Sequence, residues 1–249
     1  MIFEGKRYYE IGRGDTGIVY RAVSLDDPNP TTVIKCPVSE HEIKLAEFWA
    51  SKNFAVNFNS EDNYSASPYK VVEIDKQIGL QMADLGDTTY DDCSHRLSVG
   101  ETVLMYLMLV HSTLRLTGIL LRDTAYNNCI CRGKEQDFKI YLVDTRDWDL
   151  SYFSVKDNFV YICKQFELAS KPPLSKIQPF LEKEMIKEET LLTDMLTSCE
   201  TLSDHFLYDA GVENACDYHD RIDHLLRVIR KETQQALMRL QAFDALYAA

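Results

Sequence analysis

The spacing of apolar side chains changes character along the chain. Through residues 1–86 they come in short β-branched and aromatic runs, interrupted by glycine, proline, aspartate and asparagine, which is the pattern of strands joined by turns. Residues 8–23 (YYEIGRGDTGIVYRAV) read as strand, glycine turn, strand, and residues 31–35 (TTVIK) as a further strand after the turn Asp26-Asp27-Pro28-Asn29-Pro30. Pro37 ends that strand, and Ser39 is placed to cap a helix over residues 40–49. Residues 52–67 are polar and read as loop with a strand start, after which residues 69–75 and 77–82 form a hairpin.

Beyond residue 87 the period lengthens. Val103, Leu104, Leu107, Met108, Val110, His111 and Leu114 fall at helical spacing within residues 99–117 and predict a buried helix, with His111 a packed core histidine. Short apolar runs around residues 129–131 and 139–143 predict two strands, and residues 157–168 a buried helix with an aspartate at its start. Lys171-Pro172-Pro173 marks a boundary, followed by long amphipathic segments over residues 175–208 and 217–247. In the second, Ile222, Leu225, Leu226, Ile229, Leu237, Leu240 and Tyr247 share one side. That side is expected to pack on the helical half, with a partner-docking surface as the alternative; Met195 and Met238 are expected in the core. The whole pattern is α+β, with a sheet and one helix first and helices after.

Composition narrows the class. With 45% hydrophobic and 27% charged residues the chain can bury a sizeable core, as one large or two small domains. It has no run of 18 apolar residues, so no membrane span is expected, and its first residues lack a signal-peptide core. A cytoplasmic protein is expected, or one delivered into a host cell without a cleavable signal. Seven cysteines, with Cys129 and Cys131 alternating along one strand, fit reduced buried thiols better than disulfides or structural zinc. A net charge of −12 argues against nucleic acid or an anionic membrane as partner.

The candidate chemistry lies in Arg122-Asp123, four residues, Asn128, and an apolar run ending at Asp144. Phosphoryl transfer needs such a set: an acidic residue to orient the attacking hydroxyl, and an amide oxygen and a second carboxylate to hold Mg²⁺. The same residues also suit an ordinary hairpin with Asp and Asn at its turns. At the N-terminus, Gly12-x-Gly14-x-x-Gly17 opens a strand, whereas the dinucleotide-fold version opens a helix.

In order, the glycine hairpin, the strand lysine Lys35, a helix glutamate, Arg-Asp-x4-Asn and apolar-Asp resemble the protein-kinase superfamily, in the eukaryotic-like minimal form of small bacterial effector kinases. The resemblance covers roughly residues 8–168 and implies a bilobal fold. A small antiparallel β-sheet N-lobe with one helix, ending in a hinge, would occupy residues 1–86, and a helical C-lobe residues 87–249. It implies ATP and Mg²⁺ as cofactors. Gly12, Gly14 and Gly17 would cover the phosphates, Lys35 would hold them, and Glu42 would pair with Lys35, with Glu40 and Glu47 as rivals. Val19, Val33 and Ile130 would sandwich adenine, with Met82 behind it and Ala83, Asp84 and Leu85 along its edge. Asn128 and Asp144 would bind the metal, and Asp123 would orient the substrate hydroxyl.

The implied activity is phosphorylation of a protein on Ser, Thr or Tyr, either unaided or with an activating protein partner. The alternatives are a small-molecule kinase of the aminoglycoside or choline type, and a pseudokinase acting as a binding module. Departures from the pattern are Leu121 where the family usually has His, Ala125 where many members carry Lys, and Thr145-Arg146 after the metal-binding Asp. Arg146 would either supply charge near the phosphates or pair with Asp147 or Asp149. If Asp157 anchors the catalytic loop, it follows Asp144 by only thirteen residues, too few for a regulatory activation loop. The roles imply that Asp123→Ala and Lys35→Ala each abolish transfer while thermal unfolding stays near wild type.

Overall fold

The computed structural model describes residues 2–15, 17–23, 32–51, 70–116, 118–151, 155–167, 187–208 and 215–247. The expected turn at 26–30, the loop at 52–67, the Pro-Pro boundary and the stretch 175–186 lie outside them. The chain is α+β and divides into two compact units, Met1–Asp87 with Tyr141–Asp147, and Thr88–Ile140 with Trp148–Ala249.

The first unit is built on an antiparallel six-stranded sheet of order β1-β2-β3-β4-β6-β5. Its strands are β1 Ile2–Phe3, β2 Lys6–Arg13, β3 Ile18–Val23, β4 Thr32–Cys36, β5 Lys70–Ile74 and β6 Gln77–Ala83. The β5–β6 hairpin closes on a two-residue turn, Asp75-Lys76, both at positive φ as a type I′ turn requires. Alternation along the strands sorts the side chains into two sets. Tyr8, Ala22, Ile34, Cys36, Val72 and Ile74 form a buried cluster with Phe3 and Tyr20 against it. Cross-strand pairs share a face, so the pairings Val19↔Lys35, Lys35↔Leu80 and Val33↔Met82 put Val19, Val33, Lys35, Leu80 and Met82 together on the other one. Helix α1 (Glu40–Ser51) buries Leu45 and Ala46.

The second unit holds α2 Tyr90–Cys93, α3 Val99–Arg115, β7 Ile119–Leu120, β8 Cys129–Arg132, β10 Asp149–Leu150, α4 Val155–Gln165, α5 Glu188–Tyr208 and α6 Ala215–Tyr247; β9 is Lys139–Leu142. Strands β7 and β10 pair with each other, and β8 with β9. The α3 sequence is apolar nearly all round, and every residue from Gly100 to Leu114 except Glu101 is buried, His111 among them. Its start is fixed by a capping box, Ser98 with Glu101. Helices α4, α5 and α6 pack on it, and Gly100 permits the close approach of α6: a Cβ there would lie 2.8 Å from the Tyr218 ring.

The helical spacing in α6 holds for Ile222, Leu225, Leu226 and Ile229, all buried, as is Met195 on α5. Met238, expected in the core, is instead 61% exposed. At 33 residues, α6 carries on past Ala236, beyond which Leu237 and Leu240 are only half-buried. The six described cysteines are free, five of them buried. Burial raises their thiols, that of Cys199 to about 12. Among the described residues no helix is long and apolar enough to cross a membrane.

Candidate active site

The first group of candidate residues forms around Lys35, on a central strand. Its side chain is buried, and Nζ donates to Glu42 Oε1 at 2.7 Å and to Asp144 Oδ1 at 2.8 Å. Burial disfavours the ammonium, yet the carboxylates of Asp144 and Glu42 outweigh it and leave the Lys35 pKa above its ordinary value. Of the three glutamates that α1 offers, Glu42 is the one that meets Lys35, and it is 1% exposed. Glu40 pairs with Lys44 on the helix surface, and Glu47 is exposed.

The glycines divide by function in packing. Gly12 pairs with Val19 beside a register shift, Gly14 N–H donates to Gly17 O at 2.9 Å, and around Gly12 and Gly14 a Cβ would meet nothing within 4 Å. At Gly17 a Cβ would lie 2.5 Å from Pro37 O and 3.4 Å from the Lys35 stem. Gly17→Ala is therefore expected to lower thermal stability by about 1–3 kcal/mol, the usual cost of forcing an extra methyl into a filled space. Gly12→Ala and Gly14→Ala should fall within about 1 kcal/mol of wild type; calorimetry of the three variants checks the contrast.

The adenine candidates Val33 and Leu85 are buried, and Val19 and Met82 half-buried. Val19, Val33 and Met82 share the Lys35 face, where Leu80, not singled out in the sequence, sits directly beside Lys35. Asp84 is placed differently from an open pocket edge. Arg21 grips its carboxylate with two bonds, Nε to Oδ2 at 2.5 Å and Nη2 to Oδ1 at 2.8 Å, and reaches Asp87 at 2.7 Å. The grip ties the chain leaving β6 back to β3.

In the second unit, Asp123 and Asn128 come together in the loop between β7 and β8. Asn128 Nδ2 donates to Asp123 O at 2.8 Å and to Asp123 Oδ2 at 3.1 Å, and the amide Oδ1 is its acceptor atom. Leu121 is buried in the loop's apolar lead-in, while Arg122 pairs with Asp149 at 3.2 Å on the surface. Ile130, half-buried on β8, forms a bridge with Thr89, and next to it Cys131 N–H donates to Thr88 O at 2.8 Å. Tyr126 packs edge-on against Tyr90.

The residue that anchors this loop is Asn158, not Asp157. Buried completely, it accepts Leu121 N–H at 2.8 Å and donates to Ile119 O at 2.7 Å, whereas Asp157 is exposed. Past Asp144, β10 pairs with β7 and Ser151 N–H donates to Gly118 O at 2.7 Å. Arg146 pairs with Asp147 at 3.0 Å, with Asp15 at 3.9 Å.

Asp123 and Asp144 share a backbone feature that spacing does not reveal: both are left-handed, at φ 50° and 58°. Non-glycine residues seldom adopt this conformation, and where they do the surroundings must hold it against a cost of about 1–3 kcal/mol.

Among the described residues no group of three or more His, Cys, Asp or Glu is arranged for a metal. Mg²⁺ ordinarily takes one or two protein oxygens and completes its shell with substrate phosphates and water; the Asp144 carboxylate in the first unit and Asn128 Oδ1 in the second are each an oxygen of the required hardness. No protein-family model matches the chain, and comparison with curated proteins finds no match.

Proposed function

We propose that the chain is an ATP- and Mg²⁺-dependent phosphotransferase with a bilobal protein-kinase-type fold, acting on a protein hydroxyl. The observation that carries the reading is the Lys35 ammonium held between Glu42 and Asp144 at 2.7 and 2.8 Å. A buried lysine with one fully buried carboxylate and one partly exposed carboxylate has its charge fixed on one side and offered on the other, as phosphate holding requires. The loop pair Asp123–Asn128 supports the second requirement, an exposed carboxylate bonded to an amide nitrogen whose oxygen could serve a metal.

In this reading Lys35 holds the α- and β-phosphates and Glu42 keeps it aimed. Asp144 and Asn128 would each offer an oxygen to Mg²⁺, which would neutralise phosphate charge. Asp123 accepts a hydrogen bond from the substrate hydroxyl and aligns its oxygen with the terminal phosphorus. Gly12 and Gly14, with open space where a Cβ would be, let backbone N–H groups approach the phosphates. Val19 and Val33, which share the Lys35 face, would contact adenine, as would Ile130, and the backbone of Ala83 to Leu85 would meet its edge. Asp84 contributes through Arg21 and the path of the chain.

A small-molecule acceptor is the second reading. The twelve residues between Asp144 and Asp157 give little platform for a peptide, and β10 commits two of them to β7. Mass spectrometry after reaction with ATP and Mg²⁺, in a protein extract and in a metabolite panel, separates the two. One phosphoryl group added to a protein hydroxyl is the expected product; addition only to a metabolite selects the second reading, and addition to neither removes both.

A further inference from the structure

Glu42 has a second duty besides Lys35. It is the third residue of α1, and while Oε1 receives Lys35 at 2.7 Å, Oε2 receives both the N–H and the hydroxyl of Ser39 at 3.0 Å. The Ser39 hydroxyl oxygen in turn accepts Glu42 N–H at 3.2 Å, and Ser39 O accepts Ile43 N–H at 3.2 Å. These bonds make a capping box. One carboxylate completes the start of the helix and neutralises the lysine. Ser39 and Lys35 are four residues apart, joined by Cys36-Pro37-Val38, so the end of β4 and the start of α1 hold the two partners by covalent connection as well.

We propose that Ser39 is a positioning residue for Lys35: by capping α1 through Glu42 it sets the Lys35–Glu42 pair when the helix folds, so that movement of α1 does not open the pair. Turning Glu42 away would strip the acceptor from both the N–H and the hydroxyl of Ser39, two losses tied to one motion. A negative charge in the first turn is also favoured by the helix dipole, which adds to the preference for this arrangement. The functional consequence, a phosphate-holding lysine that needs no helix swing to become competent, rests on the phosphotransferase reading; the geometry does not.

The test therefore has an arm that needs no nucleotide. Full-length protein is treated with an amine-acylating ester, and the rate at Lys35 is read by peptide mass spectrometry. In Ser39→Ala that rate is expected to rise about fivefold, the factor a typical capping interaction is worth, and Ser39→Thr, which keeps a capping hydroxyl, should restore it. Ser98→Ala removes the matching cap from α3 and should leave Lys35 labelling at the wild-type rate. With ATP, kcat/KM should fall about fivefold in Ser39→Ala and recover in Ser39→Thr. Should wild type transfer no phosphoryl group, the phosphotransferase reading alone fails and labelling still decides the role of Ser39. Unchanged labelling in Ser39→Ala, or an equal rise in Ser98→Ala, overturns the proposal.

Discussion

Lys35→Met is expected to abolish phosphoryl transfer and to destabilise the fold by about 3–5 kcal/mol, the range measured when one partner is removed from a buried ion pair. The chemical loss follows from removing the only charge that Glu42 orients. The loss of stability follows from burial: Glu42 is 1% exposed, so its carboxylate keeps the Ser39 bonds but loses the cation that offsets its desolvation. Lys35 was expected from sequence alone to be replaceable without affecting unfolding, and its surroundings reverse that expectation. A double variant, Lys35→Met with Glu42→Leu, should regain much of the stability because a buried pair can be exchanged for apolar groups at little cost, and it should remain inactive. Chemical denaturation and a transfer assay on the three proteins separate the two roles.

The same pair gives a pH dependence of known sign. Lys35 binds its proton more tightly folded than at its ordinary value of 10.5, so its contribution is fully present below that pH and declines as pH rises through the folded pKa. Wild type should therefore lose stability above about pH 10.5 more steeply than Lys35→Met, which has no proton there to lose.

Asn158→Leu should have the next largest effect, about 2–4 kcal/mol, because it removes two hydrogen bonds from buried backbone. Leu121 N–H loses its acceptor at the residue before Arg122-Asp123, so kcat should fall with the loop's aim while KM for ATP changes less. Asn158→Asp is the sharper probe. Its carboxylate still accepts Leu121 N–H but faces Ile119 O with an acceptor, and once protonated it can donate there again. The buried carboxyl should titrate above its unfolded value. Its stabilising contribution is thus present below the unfolded pKa and lost as pH rises through the folded one. Denaturation of Asn158→Asp against wild type across that window, with the variant's deficit shrinking as pH falls, is the expected result.

Local signals were readable and long-range ones were not. The strands over residues 8–23, 31–35 and 69–82 and the helix at 99–117 rest on short-range periodicity and turn chemistry, and β2 to β6 and α3 form there. The closeness of Asp123 to Asn128 follows from their spacing, and that of Lys35 to Glu42 from a strand running directly into a capped helix. The anchor was misplaced by one residue because helical phase depends on where the helix begins: α4 starts at Val155, two residues before the expected Asp157, and one step around a helix is about 100°. Arg21 gave no signal, since its partners lie 63 and 66 positions away. Met238 was expected in the core as an apolar residue, but it falls on the opposite side of the helix from Ile229 and meets no core there.

In the phosphotransferase reading the exposed Asp123 carboxylate serves ATP chemistry, while its part in the fold is a single surface bond from Asn128 Nδ2 at 3.1 Å among the described residues. Transfer of the labelled terminal phosphoryl group from ATP in the presence of Mg²⁺, compared between wild type and Asp123→Ala, tests it most directly. Transfer by wild type, a loss of at least about a hundredfold in the variant, and unfolding within about 1 kcal/mol of wild type are the expected results. Equal transfer by both proteins, or release of a nucleotidyl group in place of a phosphoryl group, would contradict it.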